Sequence, residues 1–182
     1  MIENFLKNSP FYGDCKIITE FDETTVYYGQ PMQVHNLLDL CKDSGEFQIL
    51  IDVCGVHYPA NNKPFEVIYH LLSITKNQRI RIIVQLNEDE SVHTVDGVYD
   101  SACWFERETY DMYGIVFAGS KDSRRILTDY NFEGFPLRKD FPLTGNVEVH
   151  YDPIKGEVVY APVSLAQDYR DFDFKSNWIG KK

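Results

Sequence analysis

The segment from residue 106 to residue 143 constrains the fold of this chain more than any other part of the sequence. It is dense in charged residues, glycine, proline and aromatics, and it contains no long apolar run with a helical or strand spacing. A segment of this kind does not build a core of its own. We therefore expect it to pack against another surface or to present its side chains to one.

The composition indicates a folded protein and disfavours several kinds of partner. The chain has 182 residues, of which 43% are hydrophobic and 14% aromatic, so it can form a core. Its net charge is −10, whereas nucleic acids and anionic membrane surfaces attract chains with a surplus of Lys and Arg. No apolar run approaches the roughly 18 to 20 residues of a transmembrane helix. We expect no nucleic-acid partner and no direct membrane span.

The residues that could bind a metal or carry out catalysis do not form a recognised constellation. No two of the four cysteines are close enough for the short-spaced pairs typical of metal clusters, and no histidines show an HxxxH or HExxH spacing. Walker-type, GxGxxG and GxSxG motifs are also absent from the sequence. The N-terminus has neither a secretory nor a transit-peptide layout. The sequence therefore gives no support for a metal-binding site, a nucleotide-binding site or a Ser/His/Asp catalytic site.

The first 114 residues predict an α+β domain with two layers, a mixed sheet backed by helices. The clearest strand is Arg79–Leu86, where apolar and polar residues alternate, and the nearly continuous apolar run Phe47–Val56 predicts a strand buried on both faces. The full order is a helix at Met1–Lys7, strands at Cys15–Phe21 and Thr24–Tyr28, a helix from Pro31 to Asp43, strands at Phe47–Val56, Phe65–Ile74 and Arg79–Leu86, and a helix at Val98–Tyr113 ending at Gly114.

Beyond Gly114 the sequence changes character. No segment shows ten residues of clean periodicity, although one short hairpin is predicted from Val147–Tyr151 and Glu157–Tyr160. A structureless arm of this length is improbable inside a compact monomer. We therefore divide the chain into an α+β domain at 1–114 and a long extended C-terminal arm at 115–182, which we expect to wrap a partner subunit.

The last predicted helix carries the charged residues Glu106, Arg107, Glu108 and Asp111. Arg107 and Asp111 are four residues apart and can pair with each other on one helix face, a contact that contributes only a few tenths of a kcal/mol. Glu106 and Glu108 point in nearly opposite directions, so they cannot act together on one substrate as acid and base. These charges are expected either to be solvated or to form salt bridges to a partner.

Residues of the arm could anchor it to a partner. Arg124 and Arg125 are either surface arginines or bidentate partners of carboxylates on a neighbouring subunit. The segment 137–143 begins after one proline and contains another, which favours an extended docking strip. Trp178 is a candidate interface anchor, and for Trp104 a place in the core is equally open.

Three motifs identify a resemblance to a known family. The chain contains ERE-x-x-DMYGI from residue 106, D-x-RRILTDY-x-FEG-x-PLRKDFPLTG from residue 122, and EVHYD from residue 148. Together they resemble the thirty-kilodalton subunit family of respiratory complex I, which also has members in the bacterial NADH–quinone oxidoreductases. The resemblance extends from about Ser101 to Trp178 and departs from the family pattern at Ser120, Lys121 and Phe135.

The resemblance implies a non-catalytic core subunit in the hydrophilic arm of the proton-pumping NADH:ubiquinone oxidoreductase. It implies contacts with the quinone-site subunit, with the subunit that carries the terminal iron–sulfur cluster, and with other hydrophilic-arm subunits. The FMN, the iron–sulfur clusters and ubiquinone would all be bound by those partner subunits. The residues predicted to contact partners are Glu106, Arg107, Glu108, Asp111, Arg124, Arg125, Leu127, Arg138, Lys139, Asp140 and Trp178.

The origin of the chain and two other functions stay open. Few alanines and many Ile, Asn, Phe and Tyr residues indicate an AT-rich genome, so we expect a mitochondrially encoded copy on the matrix side of the inner membrane. A bacterial copy on the cytoplasmic side of the cell membrane is the alternative. The chain could instead be the equivalent subunit of a membrane-bound hydrogenase or another quinone- or ferredoxin-linked complex, or a separate hydrolytic enzyme that uses the acidic helix.

Overall fold

The computed structural model describes residues 2–20 and 23–167 of the chain, with side chains from residue 5 onward. Trp178 therefore lies outside the described residues. The chain divides after Phe141 into two compact units, residues 1–141 and residues 142–182. The elements are α1 (Ile2–Lys7), β1 (Cys15–Glu20), β2 (Glu23–Tyr28), α2 (Val34–Asp43), β3 (Ile49–His57), β4 (Phe65–Ser73), β5 (Gln78–Leu86), β6 (Val92–His93), α3 (Ala102–Tyr113), β7 (Phe117–Ala118), β8 (Val147–Asp152) and β9 (Glu157–Pro162).

The first unit contains a five-stranded mixed sheet with the strand order β1-β2-β5-β4-β3. Three neighbouring pairs are antiparallel, and β2 and β5 are parallel. The two antiparallel groups are thus joined through one parallel pair, with α2 lying between β2 and β3 along the chain. The predicted α+β class, with a mixed sheet and helices, is confirmed.

Alternating side chains place the core on one face of this sheet. Ile80, Ile82, Val84 and Leu86 of β5 are all buried, as their spacing predicted. The apolar stripe of α2, formed by Val34, Leu37, Leu38 and Cys41, is fully buried in the same cluster. Burial of each large apolar side chain stabilises the fold by roughly 1.5–3 kcal/mol. The buried residues of β5 and α2 therefore hold the helix and the sheet together.

Strand β3 differs from its predicted environment. It lies at the edge of the sheet, and its residues alternate between buried and accessible positions rather than being buried on both faces. Leu50 is 6% exposed, whereas Ile49 is 37% and Ile51 is 41% exposed. An apolar run cannot by itself distinguish a central strand from an edge strand with a single covered face, so this prediction was wrong.

Helix α3 ends at the predicted residue but begins later than predicted. It starts at Ala102 instead of Val98, and Ser101 occupies the N-cap without a side-chain hydrogen bond. Gly114 terminates it in the left-handed conformation, with φ +76°. Thr109 of α3 donates a hydrogen bond to the Val53 carbonyl at 3.2 Å, so the helix is fixed against the edge strand β3.

The first compact unit continues past Gly114 to Phe141. Residues 115–141 contain only the two-residue strand β7, which pairs in parallel with β6. Neither of these short strands was predicted, because two residues carry no periodic pattern. The predicted boundary at Gly114 and the wrapping of a partner by the residues beyond it stay predictions.

The second unit, described for residues 142–167, contains the predicted hairpin. Its strands β8 and β9 pair antiparallel from Val147–Pro162 to Asp152–Glu157. Asp152 stabilises the turn by accepting hydrogen bonds from the amides of Ile154 (2.9 Å) and Lys155 (3.2 Å). Among the described residues, no helix has the length and apolar character needed to cross a bilayer.

Candidate partner-binding surface

The carboxylate of Asp111, on α3, holds a turn of irregular backbone against the helix. Its Oδ2 accepts hydrogen bonds from the amides of Ile126 (3.0 Å), Leu127 (2.7 Å) and Thr128 (2.9 Å). Its Oδ1 accepts from the Thr128 hydroxyl at 2.5 Å and from the Arg125 guanidinium at 2.7 Å. Asp111 is fully buried. We call Asp111 and residues 125–128 the clamp.

The clamp keeps Asp111 ionised. Burial by itself raises the pKa of this carboxyl group, but the hydrogen bonds from Thr128, Arg125 and the Leu127 amide favour the charged form more strongly. The net effect holds the pKa of Asp111 well below its ordinary range. A carboxylate with this pKa and this set of donors is a structural anchor and has no proton to exchange near neutral pH.

Arg107 forms a second contact between α3 and the same backbone segment. It donates hydrogen bonds to the carbonyls of Arg124 (3.0 Å) and Arg125 (3.2 Å), and its guanidinium lies 3.4 Å from Asp122. Arg107 and Asp111, which the helical spacing allows to pair with each other, instead each pair with a residue beyond Gly114. Sequence spacing identifies helical neighbours only, and here the better partners come from the following loop.

Glu106 faces another part of the unit. Its carboxylate accepts hydrogen bonds from the Thr94 hydroxyl at 2.6 Å and from the Val95 amide at 2.7 Å. It is 1% exposed, and this burial raises its pKa to about 7 despite the two hydrogen bonds. Glu106 thus connects α3 to the loop after β6 and takes no part in the clamp.

Arg138 fixes the last part of the segment at the end of α3. Its guanidinium lies 4.8 Å from the ring centres of both Phe65 and Phe135, and it donates a hydrogen bond to the Tyr113 carbonyl at 2.5 Å. Stacking of this kind suits the planar guanidinium. Gly114 lies below the Phe135 ring, where a Cβ atom would come within 2.5 Å of that ring. Phe135 therefore contributes directly to this packing.

The segment held in this way exposes large apolar side chains. Leu127 is 62% exposed, Tyr130 is 74% exposed and Leu137 is 48% exposed. The amide of Leu127 is bound by the clamp and that of Leu137 donates to the Met112 carbonyl at 3.1 Å. Their backbone is thus fixed while their side chains face solvent. Trp104 on α3 is also exposed, at 61%, and its ring stacks on Arg107 at 5.2 Å.

The predicted contact residues separate into two groups. Glu106, Arg107 and Asp111 are buried, and Arg125 and Arg138 are partly buried by contacts within the chain. The exposed group consists of Glu108, Arg124, Leu127, Lys139 and Asp140. Their contacts with partner subunits stay predictions. The sequence analysis did not identify Asp122, Thr128 or Tyr130. The pairing of Asp122 with Arg124 could have been predicted, because the two residues are only two positions apart.

A cleft of about 200 Å³ lies beside α3. It is lined by Glu106, Arg107, Tyr110, Val116, Phe117, Ser120, Asp122 and Ser123. Both of its carboxylates already have partners, since Glu106 accepts two hydrogen bonds and Asp122 pairs with Arg124 at 2.6 Å. Within residues 2–20 and 23–167, no three His, Cys, Asp or Glu side chains come together as they would around a metal ion.

Comparisons with known proteins agree with the motif resemblance. The family model described as "Respiratory-chain NADH dehydrogenase, 30 Kd subunit" matches residues 27–147. The C subunit of the NADH-quinone oxidoreductase of Maricaulis maris is 60% identical over 136 residues, which cover 75% of this chain and 68% of that protein. The corresponding protein of Mesorhizobium japonicum is 47% identical over 180 residues, covering 94% of this chain and 89% of that one.

Solved structures share the fold. The trypsin-resistant fragment of Nqo5 superposes with a TM-score of 0.59 and 26% identity, covering 66% of this chain and 98% of the fragment. A chain of the archaeal membrane-bound sulfane sulfur reductase superposes with a TM-score of 0.67 at 21% identity, over 78% of this chain and 84% of that one, and this likeness concerns the fold alone. On the family match and the identity to the bacterial proteins, this chain belongs to the 30-kilodalton subunit family of the respiratory-chain NADH dehydrogenase.

Proposed function

We propose that this chain is a non-catalytic core subunit in the hydrophilic arm of a proton-pumping NADH–quinone oxidoreductase, where it scaffolds the quinone-site subunit and the terminal iron–sulfur subunit. The observation that supports this most is the division of roles around α3. Buried charges fix the backbone of residues 122–138 from inside, and the same backbone exposes Leu127, Tyr130 and Leu137.

A surface with this construction suits protein binding. Tyrosine is enriched among the residues that dominate interfaces, because it offers a large contact area with few rotatable bonds. Fixing the backbone in advance reduces the entropy lost on association. The clamp supplies that fixation for the turn that carries Leu127, so the binding energy of this side chain is not consumed in ordering the loop.

The same geometry disfavours hydrolysis by the acidic helix. Asp111 is ionised and saturated with donors, while Glu106 is enclosed and bonded to Thr94 and Val95. An acid–base pair needs two carboxyl groups that reach one substrate. Glu106 and Asp111 instead serve separate structural contacts, and Glu108 lies exposed on another side of α3, which disfavours the hydrolytic alternative.

In this proposal, FMN, the iron–sulfur clusters and ubiquinone belong to the partner subunits, and the chain attaches to the membrane only through them. The bacterial relatives favour the bacterial alternative over a mitochondrially encoded copy. A role in a hydrogenase or another quinone- or ferredoxin-linked complex is the weaker alternative, because its support is the fold likeness to the sulfane sulfur reductase chain.

A matched pair of variants tests the scaffold proposal. Tyr130→Asp places a carboxylate on the exposed surface, and Asn131→Asp adds the same side chain at the neighbouring exposed position. Each variant replaces the wild-type chain as the only copy in cells. Native gels of mildly solubilised membranes then give the amount of assembled complex, and NADH–quinone activity gives the turnover per assembled complex.

We expect Tyr130→Asp to lower the amount of assembled complex while the turnover per assembled complex stays at the wild-type value. Asn131→Asp should leave both quantities unchanged. Purified chains of both variants should melt at the wild-type temperature, since neither side chain is buried. Normal assembly combined with a collapse of turnover would refute the scaffold role.

A further inference from the structure

His57, the last residue of β3, holds a backbone segment that lies 82 residues further along the chain. Its ring is 8% exposed and stacks on Phe65, its cross-strand partner, with the ring centres 4.5 Å apart and the planes 12° apart. The Nδ1 atom of His57 accepts a hydrogen bond from the main-chain amide of Lys139 at 3.0 Å. We call this hydrogen bond the latch, because it fastens residues 139–141 to the edge strand of the sheet.

The latch requires a neutral imidazole ring. A main-chain amide can only donate, so Nδ1 must keep its lone pair and the single ring proton must be on Nε2. In the imidazolium form both nitrogens carry a proton, and two donors would face each other where the hydrogen bond now lies. Imidazole is the side chain whose charge ordinarily changes between pH 5 and 8, so mild acid is the condition that opens the latch.

A carboxylate that could replace the amide belongs to the next residue. Asp140 Oδ1 is 3.9 Å from the same Nδ1 atom, beyond hydrogen-bond distance, and the Asp140 side chain is 70% exposed. A movement of about 1 Å would bring this oxygen into the range of an N–H···O hydrogen bond. The imidazolium ring, with Nδ1–H as a donor, can thus exchange the Lys139 amide for the Asp140 carboxylate.

Other charged side chains of the neighbouring elements do not offer this exchange. Arg138 and Lys139 carry positive charge, so they disfavour the imidazolium form of His57. Glu66 of β4 alternates with Phe65 and points to the opposite face of the sheet. Among these groups, Asp140 is the acceptor placed to pair with the protonated ring.

The ring and the start of the segment stay in place when the latch opens. An imidazolium ring is attracted to the face of an aromatic ring, so the stacking on Phe65 favours the present position of His57 in both states. Arg138 is held by its own hydrogen bond to the Tyr113 carbonyl at 2.5 Å and by the same Phe65 ring. The movement is thereby confined to the residues after Arg138.

We propose that His57 is a pH-sensitive switch that fastens residues 139–141 to β3 when its ring is neutral and releases their backbone when the ring is protonated, with Asp140 replacing the Lys139 amide as its partner. These residues are the last of the first compact unit, which ends at Phe141. The latch exists only with the deprotonated ring, so its contribution to stability is present at high pH and is lost as the pH falls. The switch operates within the chain itself and is independent of the proposed function.

Nitrogen NMR of the ¹⁵N-labelled full-length chain reports the state of the ring directly. At pH 8 we expect Nδ1 of His57 to give the signal of an unprotonated ring nitrogen and Nε2 that of a protonated one, with both protonated in mild acid. The variant His57→Asn lacks these signals and so assigns them. A proton on Nδ1 at pH 8 would overturn the proposal, since the Lys139 amide could not then donate to this atom.

A matched pair of variants separates the acceptor from its titration. His57→Asn keeps an acceptor, because Oδ1 of Asn occupies nearly the position of Nδ1 of His, but this side chain does not titrate. His57→Phe keeps a ring against Phe65 and has no acceptor. His150→Asn makes the first substitution at an exposed histidine of the hairpin and is the control.

The measured quantity is the protection of the Lys139 amide from hydrogen exchange, relative to its rate in an unstructured peptide. In wild type and His150→Asn we expect this protection to fall about fivefold or more between pH 8 and pH 5, as for the loss of one hydrogen bond of average strength. His57→Asn should keep its protection at both pH values, and His57→Phe should lack it at both. The Leu127 amide, which Asp111 holds, should stay constant in every chain and so excludes general unfolding.

Wild-type protection of Lys139 that does not change with pH overturns the proposal, as does an equal pH dependence in wild type and His57→Asn. Asp140→Asn tests the second partner, because it removes the charge that favours the protonated ring. Protection of Lys139 should then be lost at a lower pH than in wild type, and loss at the wild-type pH would overturn the exchange with Asp140. If a His57 variant does not fold, the ring signals and the exchange profile of the wild-type chain still decide the question.

Discussion

Replacing Asp111 with Asn removes the charge at the centre of the clamp while keeping the size of the side chain. One oxygen of Asp111 accepts from three consecutive amides, and the other accepts from Thr128 and Arg125. The side chain of Asn has one oxygen, which can accept either from the three backbone amides or from Thr128 and Arg125, but not from both sets of donors. In the better orientation the oxygen keeps the three backbone hydrogen bonds, and the NH₂ group of Asn then faces the Arg125 guanidinium.

The loss of stability in Asp111→Asn depends on which partners Arg125 keeps after the carboxylate is removed. Breaking a buried ion pair by removing one partner costs about 3–5 kcal/mol. Arg125 keeps its hydrogen bond to the Gly134 carbonyl at 3.0 Å and its contact with the Phe135 ring at 5.2 Å. We therefore expect the lower end, a loss of about 3 kcal/mol in the free energy of unfolding. For a chain of this size, this corresponds to a decrease of about 10 °C in the melting temperature.

Urea unfolding of the purified chain at neutral pH measures this loss, with Asp89→Asn as the control. Asp89 is exposed, so the control should change the free energy of unfolding by less than about 0.5 kcal/mol. Hydrogen exchange adds a local measurement, because the amides of residues 126–128 should exchange faster in the Asp111 variant. A double-mutant cycle with Arg125→Met then isolates the energy of the pair.

The pH dependence of the free energy of unfolding provides a second test of the contribution of Asp111. The pKa of Asp111 is lower in the folded chain than in the unfolded chain, where it is about 3.9. Its contribution is therefore fully present above that value and is lost as the pH falls toward the folded-state pKa. The difference between wild type and Asp111→Asn should shrink in acid. A loss no larger than that of Asp89→Asn, with unchanged protection of residues 126–128, would refute the account of the clamp.

Two further predictions concern other residues of α3. Burial raises the pKa of Glu106 to about 7, so this group destabilises the folded chain progressively as the pH rises from about 4.5 to 7, by on the order of 3 kcal/mol in total. Glu106→Gln should remove this dependence, and urea unfolding of both chains at pH 5 and pH 8 measures it; an equal difference at the two pH values would contradict the assignment. Gly114→Ala should cost about 2–4 kcal/mol, because the residue has φ +76° and a Cβ atom would meet the Phe135 ring at 2.5 Å. Thermal melting measures this cost, and Gly97→Ala, where a Cβ atom meets nothing within 4 Å, is the control that should stay near wild type.

The regular helices and strands were predictable from the sequence because their buried residues recur at a fixed spacing along the chain. The alternation in Arg79–Leu86 identified β5 and its buried side, and the helical spacing of Val34, Leu37, Leu38 and Cys41 identified the buried side of α2. Gly114 marked the end of α3 through its freedom to adopt a positive φ. In each case the physical cause lies within a few residues of the position concerned.

The polar part of the candidate surface was not predictable in the same way. Asp111 takes its partners from residues 14 to 17 positions further along the chain, and Glu106 takes one from 12 positions earlier. These partners include backbone amides, which every sequence contains and which therefore leave no pattern. The local pairing rule instead favoured Arg107 with Asp111. The parallel pairing of β2 with β5 and the edge position of β3 are likewise set by long-range topology.

The clamp has a consequence for how this surface can change. Asp111 binds the amide groups of residues 126–128, and two of these three contacts involve the main chain of Ile126 and Leu127 with no reference to their side chains. Any residue other than proline supplies the same donor. Evolution or a designer can therefore replace the exposed Leu127 with a polar, charged or aromatic residue and keep the shape of the turn. Shape and chemical identity are separable at this position, so a new binding preference requires a single substitution and no repacking of the fold.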